Sequence, residues 1–224
     1  ALNIAKIVFM FPIPIILAIL LNEMRCEAYK KSVQTIIYIP HFLSWVVVGG
    51  LFVNILSPTS GIVNQIIKMM GGKPVPFMTN NSWFRSVLVV SATWKEAGYN
   101  AIIYIAAIAG ISQEIYEAAK MDGAGRFRRI INITLPELSS TIILMLILRL
   151  GEILINGTEQ VLMMYNSVVY ETGDIIGSYV YRMGIGKMEY SFTTAVGLFE
   201  SIVGLVLVMG GNALSRRMLD KSIW

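Results

Sequence analysis

Polar and ionisable residues recur at fixed spacings inside otherwise apolar runs, and these are the groups able to do chemistry. Ser91, Lys95 and Tyr99 stand at i, i+4 and i+8, with Glu96 and Asn100 alongside. Arg149, Glu152, Asn156 and Glu159 fall within about 80° of one another on a continuous helix, which predicts a single polar stripe. Glu200 adds a carboxylate to the last apolar run. An ionisable group at mid-bilayer costs about 2.5 to 3.5 kcal/mol on insertion scales, so such residues should face a bundle interior or a water-filled cavity. Two readings fit them. One is a polar path through a membrane; the other is a set of structural ion pairs in which Glu96, Glu152, Glu159 and Glu200 balance Lys95 and Arg149.

Bond-making chemistry has little support. The single histidine, His41, follows Pro40 with no nucleophile or acid beside it in sequence, which suits a kinked packing site. One cysteine, Cys26, excludes a disulfide within the chain, and no Cys/His cluster has metal-ligand spacing. Neither H-E-x-x-H nor G-x-S-x-G occurs, and "GGKPVP" lacks the glycine spacing and the following Ser/Thr of a phosphate-binding loop. No metal, no bound cofactor and no enzyme activity of its own is expected.

The elements that must position these groups are membrane spans. With 55% hydrophobic and only 14% charged residues and a mean hydropathy of +0.66, the chain has more apolar surface than a soluble core of this length buries. A helix needs roughly 20 apolar residues to cross the hydrocarbon. Five segments qualify: about Leu2 to Leu21, Val33 to Leu56, Arg85 to Ile111, Ser139 to Leu162 and Ser191 to Leu214. Pro12, Pro14 and Pro40 lie within spans and should kink them. Gly197 and Gly204 on the last span predict close helix packing. The whole chain, 1–224, reads as one all-α polytopic membrane domain.

Lysine and arginine bias sets the orientation. Arg25, Lys30, Lys31, Lys120, Arg126, Arg128, Arg129, Arg216, Arg217 and Lys221 fall on one side. Lys68, Lys73, Arg85, Arg182 and Lys187 fall on the other. The richer side is expected to be cytoplasmic, so the net charge of +4 reflects topology and needs no nucleic-acid partner. The opposite loops, rich in Gly, Asn and Tyr, look like surfaces that meet something outside.

The cytoplasmic loop at about 112–138, "SQEIYEAAKMDGAGRFRRIINITLPEL", is the most polar stretch. Ser112 can cap a short helix with Glu114 in its first turn. Ile115, Tyr116 and Ala119 give that helix an apolar face, and Gly123 and Gly125 permit a reversal. A second short amphipathic piece, "RFRRIINI", should follow before Pro136 opens the next span. Taken alone, the loop could be a hairpin lying on anionic lipid.

The spacing Glu117-Ala118-Ala119, Gly123, Ile133, Leu135-Pro136 resembles the EAA loop of permease subunits of binding-protein-dependent ABC importers, E-A-A-x3-G-x9-I-x-L-P. The phrases "VQTIIYIPHFLSWVV", "SATWKEAGYNAIIYIAAIAGI", "EQVLMMYN" and "YSFTTAVGLFESIVGLVLV" are similar to the carbohydrate branch, the maltose-permease class, and within it to the complex-oligosaccharide subgroup. The resemblance implies an ABC type I importer transmembrane domain in the cell membrane. It also implies a homologous second permease, two cytoplasmic ATPases carrying ATP and Mg, an extracytoplasmic sugar-binding protein and an oligosaccharide substrate. That class has six core spans, so the first is expected before Ala1. By the same resemblance, Glu117, Ala118, Ala119 and Gly123 with Ile115 and Tyr116 form the helix that engages the ATPase. Lys95, Glu96, Tyr99, Arg149, Glu152, Asn156 and Glu159 would then line the substrate path, with Trp94 and Tyr99 offering flat faces for sugar stacking. On the balanced-charge reading that path is lined mainly by groups that hydrogen-bond sugar hydroxyls.

Overall fold

The computed structural model describes residues 2–219, and all regular elements among them are helical. Lys221, counted above for orientation, lies outside the described residues. Helices α1 (Leu2–Met10) and α2 (Pro12–Asn22) form one rod of membrane length. Pro12 begins the second segment, where its missing N–H does little harm, and Phe11 N still donates to Ile7 O at 3.3 Å. The first expected span is therefore present, with a proline joint inside it.

The second span is not straight. Helix α3 (Glu27–Tyr38) runs into a short 3-10 turn at Ile39–Phe42, then bends by 102° into α4 (Trp45–Ile55). Pro40 sits in that turn, Leu43 is extended, and Ser44 Oγ accepts from Val47 N at 3.3 Å to start a new helix. Val33 to Leu56 is thus a broken pair. Helix α5 (Ile62–Met69) follows in the next loop. Buried Asn64 ties that loop together, donating to Leu56, Ser57 and Val75 carbonyls while accepting from Val75 N at 2.7 Å.

Helix α6 (Asn81–Ala109) is the axis of the fold. Asn80 caps it by accepting from Ser82 N at 2.8 Å, and it is packed by α1, α2, α3 and α4. After Gly110 the chain turns by 71° into α7 (Gln113–Met121). Helix α8 (Arg126–Arg129) passes through a π-turn at Ile130–Thr134 into α9 (Leu135–Gly151), giving 26 continuous helical residues. "RFRRIINI" is therefore the first part of a span and not a separate surface piece. Pro136, lacking an N–H, cannot complete the α ladder there, which accounts for the wider turn just before it.

Helix α9 stops at Gly151, well short of the expected Leu162. Residues 152–157 form a turn in which Gly157 has φ +93°, a backbone that favours glycine, and α10 (Thr158–Met164) starts afresh. Two short helices, α11 (Tyr170–Gly173) and α12 (Ile176–Tyr181), lead to the last span, α13 (Tyr190–Leu219). Among the described residues three helices are long and apolar enough to cross a membrane, and counting each bent pair as one span gives five.

Two buried clusters hold the bundle. Leu2, Phe84, Val87, Leu88, Val161, Met164 and Val169 form one; Ala18, Ala101, Tyr104, Ile108 and Leu138 form the other. Lipid is as apolar as leucine, so close packing and polar contacts, and not transfer from water, stabilise these interfaces. Glycine provides the closest approaches. A Cβ on Gly98 would collide with the backbone carbonyl of Ile37, and one on Gly204 would lie 2.5 Å from Gly151 O. Gly197, expected to pack in the same way, has nothing within 4 Å of its Cβ position.

The long axis of α6 separates Asn80 from α7 and α8 by about 43 Å, from 29 residues at 1.5 Å each. After Cys26 is replaced, a cysteine at Asn80 is expected to react with an impermeant thiol reagent added to intact cells. One at Arg128 should react only after permeabilisation. The opposite labelling pattern would reverse the orientation.

Candidate functional site

The polar loop is a tightly built corner. Ser112 Oγ accepts from Glu114 N at 3.3 Å at the start of α7. At its end Gly123 has φ +78°, with Gly123 N donating to Lys120 O at 3.1 Å and Ala124 N to Ala119 O at 2.9 Å. This pair of bonds is a Schellman cap, which needs a left-handed residue where Gly123 stands. Gly125 has φ −66° and is ordinary backbone. Glu117 and Ala118 are exposed, as is Ile115, and Ala119 is half-buried. Tyr116 turns back to its own chain, its hydroxyl 2.9 Å from Thr134 Oγ1 at the π-turn. Arg126 approaches Glu23 at 4.0 Å, linking the corner to the end of α2.

Lys95, Glu96 and Tyr99 are brought together, and the broken second span joins them. Lys95 Nζ is 3.5 Å from Glu96 Oε1, and His41 Nδ1 is 2.9 Å from Glu96 Oε2. The His41 ring stacks on Tyr99 with centroids 3.7 Å apart and 2° between planes. Lys95 Nζ donates to His41 O at 2.5 Å, a carbonyl that the helix break frees, and lies 5.5 Å from the Trp45 ring. Sequence reading placed His41 as packing; its role in this cluster depends on a contact across 55 residues. Trp94 and Tyr99 remain partly exposed, and Phe42 edges onto Tyr99.

The Arg149 stripe is interrupted because α9 ends. Glu152 caps α9 and Asn156 lies in the following turn, its Nδ2 3.4 Å from Glu152 Oε2. Arg149 is 4.0 Å from Glu152, whose side chain is 64% exposed. Glu159 sits on the exposed side of α10, apart from the others. Two residues missed in the sequence stand behind them. Lys6, only 7% exposed, donates to Gln160 Oε1 at 2.6 Å, and Gln160 Nε2 donates to Leu88 O at 2.7 Å and Ser91 Oγ at 2.8 Å. A cavity of about 50 Å³ between α1, α6 and α9 is lined by Asn3, Lys6, Asn100, Tyr104, Arg149 and Asn156.

A larger cleft of about 500 Å³ opens beside the loops that follow α10, with Arg85, Glu171, Asp174 and Tyr179 on its walls. Arg182 grips Asp174 through two bonds of 2.9 and 2.6 Å and lies within 6 Å of the Tyr165, Tyr170 and Tyr179 rings. That bidentate pair, with Ser178 donating to the same carboxylate, holds Asp174 below the usual carboxylate range. Among the described residues no group of His, Cys, Asp and Glu could hold a metal ion.

The family described as the inner membrane component of binding-protein-dependent transport systems matches residues 10–220. The chain belongs to this family. It is similar to protein LplB of Bacillus subtilis (strain 168), 47% identical over 97% of this chain and 69% of that one. The polygalacturonan/rhamnogalacturonan transport system permease protein YteP of the same organism is 45% identical over 100% and 69%. Among solved structures, a bacterial ABC transporter involved in import of the acidic polysaccharide alginate matches with a TM-score of 0.93 at 44% identity, covering 97% of this chain and 76% of that one. The alginate transporter in complex with an alginate pentasaccharide-bound periplasmic protein matches at 0.94 and 43%, over 99% and 77%. This permease is accordingly a multi-pass, inner-membrane transport component with the type I importer fold.

Proposed function

We propose that this permease forms half of the translocation path of an ATP-driven oligosaccharide importer. The observation that carries the reading is similarity along nearly the whole chain to proteins whose names and titles specify polysaccharide-derived cargo. Its partners are a second permease, two ATPases that carry ATP and Mg, and an extracytoplasmic sugar-binding protein. The exposed face of α7, with Glu117 and Ala118, docks on an ATPase, and the Gly123 cap fixes its angle. Tyr116 contributes from inside, anchoring α7 to the span that follows.

On α6, Tyr99, Glu96 and Lys95 meet the substrate together with Arg149. Tyr99 is already stacked against His41 and leaves part of its surface open, so the pair forms a rigid aromatic ledge for a sugar face. The lone pairs of Glu96 that Lys95 and His41 leave free, with the amides of Asn100 and Asn156, supply acceptors and donors for hydroxyls.

A tag on this permease is expected to retain an ATPase through purification, and oligosaccharide-loaded binding protein should stimulate hydrolysis. Tyr99→Ala removes aromatic contact on the order of 1 kcal/mol, which raises the half-saturating substrate concentration about fivefold. Absence of any nucleotide-hydrolysing partner would overturn the assignment.

A further inference from the structure

The lining of the small cavity carries two cations, Lys6 and Arg149, and no carboxylate. Lys6 has three N–H donors and, among the described residues, one hydrogen-bond acceptor, the neutral Gln160 Oε1. Gln160 Oε1 is neutral, and the two donations from its amide nitrogen to Leu88 O and Ser91 Oγ fix it in that orientation. Among the described residues no carboxylate lies within 4.0 Å of Lys6. Glu152 is 4.0 Å from Arg149, beyond hydrogen-bond reach, and faces outward. Arg149 thus keeps a long, solvent-facing ion pair with Glu152, while Glu96 is taken by Lys95 and His41, and Glu159 is exposed on α10.

The site is also shaped. Gly157 at φ +93° leaves the space that Lys6 Nζ occupies, since a Cβ there would collide with the ammonium. Asn100, Asn156 and Tyr104 also line the cavity, among the apolar side chains of Ile7, Met10, Phe11 and Met145. Asn3 Oδ1 is buried without a hydrogen-bond partner, an acceptor suited to a hydroxyl. A water needs about 10 to 15 Å³ of cavity by this measure, so about 50 Å³ admits a carboxylate-sized group. Two cations in a low-dielectric interior are disfavoured alone and favour an anion between them.

We infer that this cavity receives the carboxylate of an acidic oligosaccharide, with Lys6 and Arg149 as its cationic ligands and Asn3 taking a neighbouring hydroxyl. The inference rests on the oligosaccharide reading and narrows it to uronate-bearing substrates.

The test uses the full permease purified with its partner subunits and without binding protein, and reads the thermal midpoint. Tri-galacturonate is expected to raise the midpoint, whereas the same trimer with its carboxyls reduced to alcohols should not. Lys6→Gln should weaken tri-galacturonate binding about tenfold, the usual scale for one charge-assisted contact, and Lys6→Arg should retain most of it. Arg149→Gln provides a second readout if Lys6→Gln does not assemble. Equal stabilisation by acid and reduced trimer overturns the carboxylate site while leaving the oligosaccharide reading intact. Equal weakening of both trimers by Lys6→Gln assigns Lys6 to packing and likewise overturns it. Stabilisation by neither trimer also overturns the site; if loaded binding protein then fails to stimulate hydrolysis as well, the oligosaccharide reading falls with it.

Discussion

Gly98→Val is expected to leave almost no assembled permease in the membrane. The Cβ position of Gly98 collides with the carbonyl oxygen and carbon of Ile37, which are backbone atoms of α3 and have no rotamer to move into. Relief requires α3 and α6 to part, and that separation would pull the His41 and Glu96 contact apart as well. Overpacking typically costs about 1 to 3 kcal/mol, and a backbone collision on the central helix belongs at or above the upper figure. Gly98→Ala should show a smaller loss of the same sign. Gly197→Val is the control, since its Cβ position is open. Membrane abundance and the melting midpoint in detergent check the series; wild-type behaviour of Gly98→Val would show that the two helices are not in close contact.

Glu117→Lys and Gly123→Val are expected to abolish uptake while the subunit remains in the membrane at normal levels. The Gly123 effect is one of backbone alone. No atom lies within 4 Å of its Cβ position, but φ of +78° disfavours a β-branched residue by about 1 to 3 kcal/mol. Asparagine visits that region readily, so Gly123→Asn should keep most of the activity. Glu117 is exposed, so reversing its charge leaves the fold alone and would act on the proposed docking. Uptake by proteoliposomes, with ATP hydrolysis measured alongside, tests both; normal uptake in Glu117→Lys and Gly123→Val would remove α7 from the coupling role.

Hydropathy revealed the spans because apolar residues accumulate wherever lipid is the solvent, but it carries no direction. A straight span and a helix bent by 102° have the same composition, so the break at Pro40 to Ser44 was visible only as a proline. The end of α9 was hidden for the same reason: "GEILING" is apolar enough to continue, and only the left-handed Gly157 shows that it does not. Local signals fared better. Ser112 and Gly123 act through hydrogen bonds to residues within five positions, and both were legible. Lys6 was not, since its meaning depends on Gln160, 154 residues away, and on the lack of a carboxylate beside it among the described residues.

Close contact at Gly98 also has a mechanical consequence. Helix α6 is an unbroken rod, and the contact with Ile37 divides it into an outer arm of about 26 Å and an inner arm of about 17 Å ending beside α7. If the rod tilts about that contact, the contact serves as its fulcrum. A displacement imposed at the α7 end then reappears at the Asn81 end reversed in direction and enlarged about one and a half times, in the ratio of those arms. Tyr99, Glu96 and Lys95 lie almost on the pivot, so the same tilt would rotate them while barely shifting their position. The His41–Tyr99 stack would turn in place as the Asn81 end swings.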